Sequence, residues 1–215
     1  MDLGKQKTYK NVFDAARDEL VRGGNIPEKL LRAGLRYEER DGATRVFVPF
    51  FNETITLTLP SATFSGEAGV NVTLVTRIVI LHYLNTASGI PLAGEKIAYG
   101  DIPACMHYDP VFEKRVLKPL ARAFGYDKYL FKEAGKLMGG REEDFGDASF
   151  TLFAFPKVPV TFVLWEGDEE FPPAAKALFD PSITGYLPLE DIVVIAKLAA
   201  GRILKTAMKK FYDEG

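Results

Sequence analysis

Cysteine is almost missing from this 215-residue chain: Cys105 stands alone, so no disulfide can form within it. Histidine is nearly as scarce, with only His82 and His107. That supply is too small for a structural zinc site from this chain alone, and one thiol cannot hold an iron–sulfur cluster. A charge excess is also lacking. The net charge is −2 with 26% charged residues, so nothing demands a polyanionic partner, and no nucleic-acid role is expected. Long apolar runs are absent too. The most apolar stretch, Val70 to Leu84, is interrupted by Asn71, Thr73, Thr76, Arg77 and His82, too short and too polar to span a bilayer. The opening residues, Met1-Asp2-Leu3-Gly4-Lys5-Gln6-Lys7, lead into a polar helix pattern and not a secretory signal. A soluble, cytoplasmic protein with no membrane role is the expectation, which a lone thiol fits. The sequons at Asn52 and Asn71 then carry no meaning. Phosphate-loop, dinucleotide-binding, nucleophile-elbow and His-Glu-x-x-His patterns are all missing.

What the chain does have is apolar mass, 47% of its residues, enough for a sizeable core. Tyr9 to Arg22 reads as an amphipathic helix stopped by Gly23-Gly24, and a short helix follows from Pro27 to Gly34. The period then changes to that of strands: Leu35 to Arg40 and Thr44 to Phe51 flank the hairpin signal Asp41-Gly42, and Thr54 to Leu59 is a third strand. Pro60, Ser61 and Gly66 mark a loop. Asn71 to Ala87 is apolar around most of its circumference and reads as a buried helix, with a strand as the alternative for its β-branched half. A turn at Gly89 to Gly94 precedes a short strand at Lys96 to Tyr99. Asp109-Pro110 opens a helix running to Phe124, which Pro119 should kink or split. Asp127 to Met138 is a further helix and Arg141 to Asp147 a charged loop. Ala148 to Phe155 and Val158 to Trp165 form an antiparallel pair, Ala174 to Phe179 a short helix, and Leu187 onward a long last helix with Glu190 and Asp191 in its first turn. Without repeats, linkers or regular strand–helix alternation, one α+β domain is expected. It is a mainly antiparallel sheet of about five or six strands packed against several helices, including a buried central helix and a long C-terminal one.

Several blocks occur together in a known order. They are Ile80-Leu81-His82-Tyr83-Leu84, Gly89-Ile90-Pro91-Leu92-Ala93-Gly94, Pro119-Leu120 with Phe124-Gly125, Phe155-Pro156 and Val158-Pro159-Val160. The most distinctive are Trp165-Glu166-Gly167-Asp168-Glu169-Glu170-Phe171-Pro172, Leu178-Phe179-Asp180 and Tyr186-Leu187-Pro188-Leu189-Glu190-Asp191. Over roughly Val72 to Leu204 the chain resembles the prokaryotic family catalogued as domain of unknown function 3786. The resemblance implies an anaerobic setting, with relatives that carry an added iron–sulfur domain of the kind found beside corrinoid proteins. Any such redox centre would here belong to a partner. One departure is Ile102-Pro103-Ala104-Cys105, where the family pattern suggests a glycine-rich turn.

The acidic turn after Trp165 concentrates Glu166, Asp168, Glu169 and Glu170 at one strand end. Clustered carboxylates repel one another and attract a cation, and oxygen-rich sites suit Mg²⁺ or Ca²⁺. Asp168, Glu170 and Glu190 are the candidate metal ligands. Trp165, Asp168, Glu169, Glu170, His82 and His107 are the wider candidate cofactor-binding set, for a divalent metal or a corrinoid or other tetrapyrrole. The plain structural alternative is an exposed corner in which Asp168 or Glu169 caps a following helix. His82 in a buried helix bonds a backbone carbonyl or serves as a ligand. Cys105-Met106-His107 is a loop into the Asp109 helix or a Cys–His pair. Three functions follow: a binding or accessory module beside an iron–sulfur or corrinoid protein, a divalent-metal enzyme using the acidic turn, or an oligomeric scaffold built on the last helix.

Overall fold

The structure, a computed structural model, describes residues 3–67, 72–103 and 105–213. These form two compact units. The first holds the residues up to Pro91 together with Phe155–Lys157 and Thr184–Pro188, and the second holds the remainder. Both are α+β, and the strands divide into two antiparallel sheets of four and five.

In the first unit, helices α1 (Leu3–Arg22) and α2 (Ile26–Arg32) precede strands β1 (Arg36–Arg40), β2 (Ala43–Phe50), β3 (Glu53–Leu59) and β4 (Thr63–Gly66), and helix α3 (Leu74–Thr86) closes the run. Asp41 and Gly42 both take left-handed backbone, φ 52° and 76°, which is what the tight turn between β1 and β2 requires. Register then follows: Val46 pairs with Leu57 and Val48 with Ile55, so one face of the sheet is buried aliphatic. The segment after Pro60, expected as loop, instead yields β4, which pairs with β3 from Ile55↔Gly66 to Thr58↔Thr63. Its Thr-Phe-Ser-Gly sequence has little strand character of its own. The open hydrogen-bonding edge of β3 recruits it.

Helix α3 is the buried helix expected from the sequence, with Ile78, Val79, Ile80, Leu81, Tyr83 and Leu84 all buried, which excludes the strand alternative. Asn71, where that reading began, lies outside the described residues. Thr73 caps the helix by accepting the Thr76 N–H. Asn85 ties three helices together: its Nδ2 donates to the Ala16 carbonyl of α1 (2.9 Å) and its Oδ1 accepts from Lys29 of α2 (3.1 Å). The Tyr83 ring stacks on Phe155 at 4.2 Å and 8°, and its hydroxyl donates to the Ala33 carbonyl.

In the second unit, β5 (Ile97–Ala98) leads through two 3-10 turns into α4 (Asp109–Phe112), a π turn at Glu113–Leu117, and α5 (Lys118–Phe124). Asp109 sits inside the first helical turn and makes no side-chain cap, contrary to the sequence expectation. Pro119 is accommodated by the π turn, in which the Lys118 N–H reaches the Glu113 carbonyl five residues back, so the helix is widened rather than broken. Helix α6 (Lys128–Leu137) follows, capped by Asp127 through the Leu130 N–H. Strands β6 (Arg141–Glu143), β7 (Ala148–Phe155), β8 (Val158–Trp165) and β9 (Ala174–Phe179) then complete a sheet of order β5-β9-β8-β7-β6, and α7 (Leu189–Asp213) ends the described chain.

Two expectations fail here for the same reason. Arg141 to Asp147 is not all loop, since Arg141 to Glu143 pairs with β7. Ala174 to Phe179 is not a helix. It pairs with β8 from Val160↔Phe179 to Trp165↔Ala174 and with β5 on its other side. Local preference for Ala and Lys in helices is a few tenths of a kcal/mol per residue. An unpaired β8 edge would cost several hydrogen bonds. Along β7, Phe150 faces Phe131 of α6 (4.7 Å) and Phe162 of β8 (6.3 Å), while Thr151 and Phe153 point to the opposite face.

Candidate functional site

The acidic turn is a corner built largely by its own backbone. The Gly167 N–H donates to the Gly125 carbonyl (2.8 Å), and the Glu166 N–H to the Asp147 carboxylate (2.9 Å). Asp168 turns inward on its own loop: its Oδ1 accepts the Glu170 N–H (2.8 Å) and the Phe171 N–H (2.7 Å), which hold its carboxyl below the ordinary value. Glu166 accepts the Lys128 backbone N–H and ion-pairs with the Lys128 ammonium (3.0 Å), and both lower its pKa. The strand β9 follows this corner, so neither Asp168 nor Glu169 caps a helix. Glu169, Glu170 and Glu190 are exposed, the last in the first turn of α7. Among the described residues no three His, Cys, Asp or Glu side chains converge in a group able to hold a metal ion, so Asp168, Glu170 and Glu190 are not brought into one set.

His82 is half-buried on α3. His107 is exposed on a 3-10 turn, whereas Cys105 beside it is buried. Burial, with the Cys105 thiol hydrogen-bonded alongside, pushes the Tyr99 phenol well above its ordinary pKa. Ala104 of the departing turn lies outside the described residues. Trp165 ends β8 half-exposed.

Where the second unit does gather chemistry is a cleft of about 230 Å³ on the face of its sheet that carries Thr151. Thr151, Phe153, Pro159, Thr161, Leu178 and Leu92 line it, with Lys96 and Arg141 at its polar side. The carboxylate of Glu143 organises that side. It accepts from Arg141 Nη2 (2.8 Å) and Nε (3.2 Å), Thr151 Oγ1 (2.7 Å) and Lys96 Nζ (3.3 Å). Thr151 and Thr161 share a further hydrogen bond (2.7 Å). Asp180, buried at the other wall, accepts the Ala93, Gly94 and Ser182 N–H groups. The lone pairs of both carboxylates are thus largely consumed within the fold. The two cations are not spent: Arg141 uses two of its N–H groups on Glu143, and Lys96 uses one.

Partial burial would raise the Glu143 pKa, but the hydrogen bonds from Arg141, Thr151 and Lys96 outweigh it and lower the value from 4.5 to about 2. The folded pKa lies below the unfolded one, so this network stabilises the fold fully above about pH 4.5 and loses its contribution as pH falls toward about 2. Screening of the exposed Arg141 partner limits the effect to about 1 kcal/mol. Urea unfolding at pH 6, 4 and 3 is expected to show stability falling more steeply in the wild type than in Glu143→Gln. Parallel declines would mean the network contributes nothing.

Asp180 closes the Leu178-Phe179-Asp180 block, but none of Lys96, Arg141 or Glu143 belongs to a sequence motif. The usable signal is Thr151 and Thr161, two hydroxyls buried within strands otherwise rich in Phe, Val and Leu. No helix among the described residues is long and apolar enough to cross a membrane. No curated protein and no solved structure matches the chain significantly. A family model does match, over residues 25–202. The span contains both β-sheets, the acidic corner and every residue of the cleft, and on that match the chain belongs to the family described as Domain of unknown function (DUF3786).

Proposed function

We propose that the chain is a small-molecule-binding module whose ligand carries a carboxylate or phosphate and sits in the cleft beside Glu143. The observation that supports this reading is the imbalance of hydrogen-bonding groups: acceptors internally satisfied, cationic donors of Arg141 and Lys96 in excess, over an apolar floor of Phe153 and Leu178. Donors of this kind form the stronger, charge-assisted bonds to anionic oxygens. The cleft lies below the roughly 300–1,000 Å³ usual for drug-sized ligands, and a corrin macrocycle does not fit it. The link to corrinoid or iron–sulfur chemistry rests on the family resemblance alone. In that setting the large cofactor stays on a partner protein and this chain takes a small ligand as an accessory module.

Calorimetric titration with acetate, succinate, inorganic phosphate and a sugar phosphate tests the reading. At least one is expected to bind, and Arg141→Ala to weaken it on the order of tenfold. No heat from any of the four, or equal affinity in Arg141→Ala and Lys96→Ala, removes the cleft as a binding site.

A further inference from the structure

The corner between β8 and β9 presents aromatic rings to solvent. Tyr126, Tyr129 and Phe171 are 74%, 75% and 66% exposed, and Trp165 is 37% exposed. Rings left in water contribute little to the fold, and a group of them marks an interaction surface. The chain segments that carry them meet at this corner. Gly167 packs against the Tyr126 ring, Phe171 closes the Asp168 turn, and Lys128 bridges Tyr129 to Glu166. Their backbone is also held in place. A Cβ at Gly125 would stand 2.6 Å from Pro173 Cγ and one at Gly167 2.6 Å from Pro173 Cδ, so both chain segments are in tight contact at this corner. A preorganised surface loses less entropy on binding.

Its charge selects the partner. The segments Tyr126 to Tyr129 and Trp165 to Pro173 carry five carboxylates, Asp127, Glu166, Asp168, Glu169 and Glu170, against one ammonium, Lys128, a local charge of 1 − 5 = −4. Lys128 itself displays the recognition mode: its Nζ lies 3.0 Å from Glu166 and 5.8 Å from the Tyr129 ring centroid, a cation held by a carboxylate and an aromatic face together. Glu169, Glu170, Tyr126 and Phe171 offer the same two chemistries, with both glutamates exposed. We infer that this aromatic, acidic corner docks a lysine- or arginine-rich segment of a partner protein. The site is separate from the cleft beside Glu143 and stands whether or not that cleft binds a small molecule.

Trp165 is the only tryptophan of the chain, so its fluorescence reports on this corner directly. Titration with hexaarginine in low salt is expected to give a saturable change in Trp165 emission, and hexaglutamate none. Removing two of the exposed rings, Tyr129→Ala with Phe171→Ala, leaves every carboxylate in place and should weaken hexaarginine on the order of tenfold. Circular dichroism checks that the double variant folds. Unchanged affinity in that variant would show attraction by bulk charge alone and overturn the proposal, as would the lack of any response in the wild type. A concentration-dependent shift of Trp165 without peptide, with dimers by light scattering, would assign the corner to a second copy of this chain and overturn it as well.

Discussion

Tyr83→Ala is expected to cost about 3–5 kcal/mol of folding stability, the range for removing a large, fully packed aromatic side chain. Tyr83 is completely buried, lies 4.2 Å above Phe155 in a stacked pair, and meets Tyr186 at 6.1 Å. Tyr83→Phe isolates the polar part of that cost. The hydroxyl donates to the Ala33 carbonyl and is also hydrogen-bonded by the Lys157 backbone. Burial keeps the phenol protonated far above its ordinary range, so it remains a donor. Removing it strands the carbonyl of the fully buried Ala33 away from water, at about 1–3 kcal/mol. Urea unfolding followed by circular dichroism measures both variants. A Tyr83→Phe loss below about 0.5 kcal/mol would mean that neither bond matters to stability. Trp165 belongs to the second unit, so its fluorescence adds a test of the single-domain expectation. One cooperative domain requires the Trp165 transition to move with the circular dichroism transition in both variants.

Which features were legible in the sequence follows from where their hydrogen bonds and contacts come from. The β1–β2 hairpin was legible because Asp41-Gly42 is a local chemical statement: two residues that tolerate left-handed backbone, between alternating strands. Helix α3 was legible because its apolar residues exceed one face, which only a buried helix explains. By contrast, β4, β6 and β9 owe their state to neighbours. The partners of Ala174 to Phe179 lie on β8 and β5, and no local pattern announces them. The acidic corner was legible as a feature, since its residues are consecutive, but not in its role. Nothing in Glu-Gly-Asp-Glu-Glu says that Asp168 spends its carboxylate on its own loop. Of the cleft, only the buried Thr151 and Thr161 and the Leu178-Phe179-Asp180 block left a mark in the sequence. Lys96, Arg141, Glu143, Thr151, Thr161 and Asp180 are drawn together by strand order β5-β9-β8-β7-β6, a long-range property that residue spacing does not encode.

The same substitution should have opposite signs in two helices of the second unit. Glycine to alanine in an exposed helix interior stabilises by about 1 kcal/mol through backbone entropy. Gly201 of α7 meets that condition: it is exposed, and a Cβ there would find nothing within 4 Å. Gly201→Ala is therefore expected to raise stability by about that amount. Gly135 of α6 does not meet it. A Cβ there would stand 2.6 Å from Cγ and Cε1 of Phe150, a ring already confined by Phe131 and Phe162. Overpacking of this kind costs about 1–3 kcal/mol and outweighs the entropy gain, so Gly135→Ala is expected to destabilise. Because Phe150 and Thr151 are neighbours on β7, the displacement also reaches the hydroxyl that Glu143 uses in the cleft. Phe150→Ala tests the cause. It removes the Cγ, Cδ1 and Cε1 atoms that collide, so adding Gly135→Ala in that background should cost nothing or stabilise, a coupling of about 1–3 kcal/mol by double-mutant cycle. Gly135→Ala that stabilises the wild type, or additive effects of the two changes, would show that α6 shifts freely over β7. The close seating of that helix would then not be what positions the cleft strand.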